Sequence, residues 1–550
     1  MAFFLDIFGY LSVILRGLVL TAQSLTVGGI AFLLLLARPL AAGLGAGGES
    51  LERRSRGLLR WSALAFAAAE LVSVAVQCAV LMGTVDIGLG DALGADFAIA
   101  GLVLSAAGLL IAWTSRAPAT KNVALALGLL AALVLLAQIA TSHAMARLDD
   151  RAPLAVADVL HMAGAALWIG GIPYFVLALA GNESGEAWRR IGRRFSSMSM
   201  AAVGILVAGG LYMGVVYIGS VDAIYGTAYG VMVATKVALL LGLLFLGGMN
   251  FLAVERLRRD PATPVPRLRR FAEVEIGVGL TVLFAAASLT SQPPGADLTA
   301  DRASWSEVVH RLTPEWPLLS SPDRSELAIY RMEAERQAEA QSNPQLPPAY
   351  VPGSGIVPPR DAADIAWSEY NHHWAGIAVL LIGLLALAER ARIAPWARHW
   401  PLIFVALAVF LFFRSDPEVW PLGDIGFLQS LRDPEVVQHR IFVLLIAGFG
   451  VFEWRVRTGR ICRPGAALVF PLLIAFGGAL LLTHQHALSN VKDQLLIEIT
   501  HVPLALCGIT AAWARWLELR LGPPGDRIAA WVWPVAFVLV GVVLLIYRET

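Results

Sequence analysis

Charge is what this chain has least of. Only 15% of its 550 residues are Asp, Glu, Lys or Arg, against roughly 25% in soluble domains. Acids and bases nearly cancel to a net charge of +1, so no global basic field argues for nucleic acid. Cysteine is scarce too: Cys78, Cys462 and Cys507 lie far apart with no CxxC pair. Neither a thiolate metal site nor a disulfide framework is indicated. P-loop, GxSxG and HExxH patterns are absent, so no nucleotide or hydrolase motif points to an enzyme. Any transport would be passive or coupled to another gradient.

What the chain does have is apolar sequence, 57% of all residues, gathered in blocks of about twenty, the length that crosses a bilayer core. The expected fold class is all-α, a polytopic transmembrane helical bundle of about 14 spans in two units. An eight-helix unit is expected over residues 1–291 and a six-helix unit over 372–550. Between them, 292–371 has Pro-rich ends, "SQPPGADLTAD" and "NPQLPPAYVPGSGIVPPRD", around the helix-like "SELAIYRMEAERQAEAQ". That composition reads as an external linker. The opening "MAFFLDIFGYLSVILRG" lacks a basic region and a small-residue cleavage site, and is read as a retained span.

Alternate loops are basic. Arg53, Arg54 and Arg56, then Arg189, Arg190, Arg193 and Arg194, then Arg256, Arg258 and Arg259 mark one side, while 84–95 and 221–227 hold no Lys or Arg. Basic loops stay cytoplasmic, which places both termini and the linker in the periplasm of a bacterial inner membrane. On that topology nine of the ten histidines fall at the outer face, His399 being the exception.

Four helices of the second unit each bring histidine to one depth: His372 or His373, His439, His484 or His486, and His501. Imidazole is the commonest protein ligand for copper, zinc, nickel and iron. Glu498 lies one helical turn before His501 and could ligate or support it. Any one of these residues alone reads as a wet helix end or a packing hydrogen bonder; the convergence reads as a metal or heme site. The first unit holds a smaller set: His143, then Asp158, His161 and Met162, with Asp158 and His161 on one helix face. A thioether beside imidazoles suits Cu(I), although methionine is usually apolar filler. Charges inside spans are costly. On the structural reading, placed first, Arg16 and Lys236 snorkel or pair with Asp158; on the sharper rival, Glu70 with Gln77 and Cys78 marks an ion path.

The stretch "SHAMARLDDRAPLAVADVLHMAGAALWIGG" and the later "GTAYGVMVATK" resemble the copper resistance D family of bacterial inner-membrane proteins. The resemblance rests on His143, Asp158, His161, Trp168, Gly170, Gly171, Gly226, Thr227, Tyr229, Gly230 and Lys236, and covers roughly residues 1–295. It implies copper as the ion handled, taken from the periplasm, with the bilayer and a periplasmic copper-binding protein as partners and no nucleic acid. Two rivals stay open: a heme-binding membrane redox protein, and a copper chaperone or assembly factor for a heme-copper oxidase. The topology is testable. Cysteines placed in 292–371 should label in intact cells and cysteines in 255–270 should not; the reverse pattern would invert the scheme and move the histidines inside.

Overall fold

Each apolar run becomes a helix. The structure, a computed structural model, describes residues 2–549 apart from 42, 119, 182–184, 261–262, 264, 341–360 and 484–490. Among the described residues there is no strand, only an isolated bridge between Val419 and Ile425. Among the described residues eleven helices are long and apolar enough to cross a membrane, and three shorter apolar ones bring the number to the expected fourteen. In chain order they are α1 (Phe8–Ala41), α2 (Ala46–Val85), α3 (Asp96–Thr114), α4 (Lys121–Ile139), α5 (Arg151–Ala180), α6 (Gly185–Ile218), α7 (Ala228–Arg259) and α8 (Pro266–Leu289). Then follow α9 (Ala362–Arg390), α10 (Leu402–Arg414), α11 (Val436–Arg457), α12 (Ala466–Leu481), α13 (Leu495–Arg520) and α14 (Ala529–Leu545). Two compact units result, one Tyr10–Arg302 and the other built on Ala303–Thr550.

Several helices outrun their apolar cores because the flanking basic segments are themselves good helix formers. In α6, Glu186 pairs with Arg189 at 2.7 Å and Arg190 at 2.8 Å. In α7, Glu255 pairs with Arg258 at 2.7 Å. Such i,i+3 and i,i+4 pairs add a few tenths of a kcal/mol each. The outward faces stay apolar: Leu211, Val215, Leu241, Phe245, Leu444 and Leu445 are all exposed, as lipid contact requires.

With lipid as solvent, helices associate through close packing of small residues. In the first unit α1 crosses α5 so tightly that a Cβ on Gly170 would lie 1.9 Å from the Ser24 carbonyl oxygen. There α5 widens into a π-turn over Ala166–Gly170, a local feature frequent at functional sites. In the second unit α9 and α14 meet at Gly541, whose added Cβ would come within 2.4 Å of the Leu380 amide. Trp400, Phe404, Phe470, Trp533 and Phe537 fill the core beside them. Residues just after Ala303 pack on this same unit: Arg311 donates to the Arg548 carbonyl at 2.7 Å and the Tyr330 hydroxyl to that of Pro417 at 2.7 Å. The helix Ala328–Ala340 forms where the charged patch suggests one.

Buried ion pairs hold the end of α11. Arg457 bonds Glu453 and Glu389, each at 2.8 Å, and lies 4.5 Å over the Trp400 ring. The Glu453 side chain is only 2% exposed. Arg457→Ala strands that carboxylate, and breaking one partner of a buried pair costs roughly 3–5 kcal/mol. Thermal unfolding in detergent should show a loss of that order, whereas Arg259→Ala should stay within about 0.5 kcal/mol.

Candidate functional site

Ionisable residues from four helices converge inside the first unit. Arg16 of α1 lies within electrostatic reach of Glu70 on α2 and Asp158 on α5, and Lys236 of α7 also acts on Asp158. Among the described residues none of these four makes a direct ion pair. Arg16 instead donates twice, at 2.7 and 3.1 Å, to the side-chain oxygen of Gln138 on α4, whose amide nitrogen donates to Gln23 Oε1 at 3.1 Å. Gln138 is 1% exposed and Gln23 4%. The two amides spread the guanidinium charge into a hydrogen-bonded chain, as polar groups in lipid require. Pairing of Arg16 and Lys236 with Asp158 is therefore electrostatic rather than by contact.

His161 sits one turn beyond Asp158 on α5. Its Nδ1–H donates to the Leu206 carbonyl of α6 at 2.9 Å, which leaves the lone pair on Nε2. Small residues make room for the ring: a Cβ on Gly210 would lie 2.9 Å from Nδ1 and one on Gly209 3.3 Å from the His161 Cβ. His143 stands nearer the helix ends, with Nε2–H donating to the Thr290 carbonyl at 3.1 Å and its ring 6.4 Å from Tyr217. Arg147 lies over the Tyr217 ring at 5.5 Å, and the Tyr229 ring is 6.3 Å away. Thr227 caps α7, accepting from Gly230 N at 3.0 Å, so the Gly226–Gly230 turn shapes this rim. Met232 is buried, and Met82 packs against the apolar cluster of Val74 and Cys78. Of the supposed ion path, Gln77 donates to Ser73 at 2.9 Å and Cys78 is buried in that apolar cluster; only Glu70 stays with the charges. Met162 is half-buried beside His161.

In the second unit the structure brings His372 and His501 together, rings 6.2 Å apart, with Tyr547 stacked 3.9 Å from His372. Each donates Nδ1–H to the carbonyl one turn earlier, Ser368 at 2.9 Å and Ile497 at 2.8 Å. His373 leaves the expected donor set. Its Nδ1 accepts from Leu318 N at 2.8 Å and its Nε2 donates to the Tyr547 carbonyl at 2.9 Å, so both ring nitrogens are spent on backbone. His439 is held by Asp416 at 2.6 Å. Glu498 is buried on α13. His484 and His486 lie outside the described residues. Among the described residues no three His, Cys, Asp or Glu side chains form a metal-holding group. His399 accepts from Trp454 Nε1 at 2.8 Å.

Sequence reading missed Gln23, Gln138 and Tyr217. The two amides were legible as the rare polar residues inside apolar runs, but nothing in the chain tied them to Arg16.

Residues 189–289 match the family model described as Copper resistance protein D. A curated protein, the copper transport protein CutJ of Bacillus subtilis (strain 168), is 34% identical over 164 residues, which is 29% of this chain and 29% of that protein. The match thus spans less than a third of that relative's length. No solved structure matches the chain. The matched segment runs along α6, α7 and α8, the helices that carry Leu206, Gly209, Gly210 and Lys236.

Proposed function

We propose that the protein binds copper at the outer face of a bacterial inner membrane and carries it through the first unit, with both termini periplasmic. Copper is here the substrate. The observation that carries the reading is His161: an imidazole fixed through Nδ1 to the Leu206 carbonyl, which leaves the Nε2 lone pair as a donor, one turn from Asp158 and within electrostatic reach of Lys236. Imidazole nitrogen suits copper in either oxidation state, and the neighbouring Met162 thioether suits Cu(I). His143, whose lone pair falls on Nδ1, is the earlier donor on the same path. Asp158 supplies the negative charge that a cation needs in low dielectric. The family match and the name of the Bacillus relative support copper as the ion.

The second unit is proposed as the capture site. His372 and His501 bring their imidazole rings to 6.2 Å from each other, with Glu498 on the same helix as His501. His439, His484 and His486 remain proposed contributors. A periplasmic copper-binding protein is the proposed donor. The heme reading loses one candidate axial ligand in His373, whose nitrogens are both occupied.

Uptake of copper into proteoliposomes separates a carrier from a chaperone. His161→Ala should slow entry by tenfold or more, because it removes a donor. Met162→Leu, a nearly volume-conserving change, should cost less. Equal and negligible effects of both would leave Asp158 and His161 as packing residues and overturn the reading.

A further inference from the structure

We propose that Glu70 releases one proton for each monovalent copper ion that enters the charged centre, so that the carrier exchanges copper for protons. The proposal rests on the transport reading above and adds its energy source.

Glu70 lies in the middle of α2 and is 6% exposed. Among the described residues its Oε1 has no hydrogen-bond partner. Its Oε2 faces α3 at Gly101, where an added Cβ would be 3.6 Å away. The nearby α3 hydroxyl, Ser105, is turned to the Ala67 carbonyl at 3.0 Å and does not serve the carboxylate. A buried carboxylate without donors is poorly held in its charged form.

The surrounding charges point the same way. The charged group that faces Glu70 is Arg16, from α1. Arg16 also faces Asp158, and its guanidinium hydrogen bonds go to Gln138. Lys236, from α7, faces Asp158. Asp158 thus receives the fields of two cations and Glu70 a share of one. Of the two acids, Glu70 is the one whose buried oxygen lacks a hydrogen-bond partner among the described residues, and the exchangeable proton is assigned to it.

Charge balance then links proton to copper. With Glu70 protonated, Arg16, Lys236 and Asp158 leave the centre at one net positive charge. Copper(I) bound at His161 would raise that by one, and an uncompensated charge inside a bilayer is costly. Loss of the Glu70 proton restores the resting sum: the O–H bond breaks, its electron pair stays on the carboxylate, and the proton leaves to water. No group is oxidised or reduced. When copper departs on the other side, Glu70 takes a proton from that side, and one proton has moved against one copper.

The test uses full-length protein in liposomes with pyranine inside and chelator-buffered Cu(I) outside, the potential clamped by valinomycin and potassium. Wild type should raise lumenal pH as copper enters, with about one proton leaving per copper. An inside-acid gradient should raise final accumulation about tenfold per pH unit, since one coupled proton contributes that factor. Glu70→Gln should abolish the pyranine signal and the gradient effect while leaving copper bound to the purified protein, and Glu70→Asp should restore part of both. Wild-type copper entry at constant lumenal pH overturns the proposal, as does a Glu70→Gln protein with an unchanged pyranine signal. If Glu70→Gln does not fold, the wild-type proton count decides alone. Absence of any wild-type copper entry would instead overturn the transport reading, and the exchange with it.

Discussion

A charge inside a bilayer has to be balanced before anything else can be arranged, and each unit of this protein is built around one solution to that requirement. Lipid offers neither counter-ions nor hydrogen bonds, so every buried cation dictates which helices must be neighbours. Around Arg457 the solution is contact: two carboxylates at 2.8 Å and an indole face beneath. Around Arg16 it is distance, with charges facing one another across the bundle and amides carrying the hydrogen bonds. The first arrangement locks helix ends together. The second leaves a field whose balance would change with any added ion, which a structural clamp does not leave.

The packing around that second centre follows from the same demand. α1 can bring Arg16 and Gln23 to α5 only because Gly170 lets two backbones nearly touch. α6 can reach His161 only because Gly209 and Gly210 carry no side chain. The glycines are therefore part of the site, although none offers a donor. They are the reason an arginine on the first helix acts on an aspartate more than a hundred residues later.

Much of this was legible in the sequence, and the boundary is physical. Span number and sequence position depend on local apolar runs, and each expected run has its helix. Helix ends were less legible, since the basic extensions of α2 and α6 are helical for reasons that hydropathy does not register. Asp158, His161 and Lys236 stood out because charged or imidazole groups in apolar helices are rare. What an imidazole can do was not legible. His373 and His501 look alike in sequence, yet one spends both nitrogens on the backbone of Leu318 and Tyr547 while the other donates to its own helix. That difference is set by residues 55 and 174 positions away along the chain for His373, and no local pattern encodes it.

One bond described above has a mechanical meaning. His161 is carried by α5, but its ring is fastened to α6 through the Leu206 carbonyl. The ring's direction is therefore a gauge of the register between two helices. A slide of one helical turn, about 5.4 Å, would carry the carbonyl beyond hydrogen-bond range of Nδ1 and release the ring to turn. The direction of the ring would then be set by helix position, making the α5–α6 pair a ratchet whose pawl is a single imidazole.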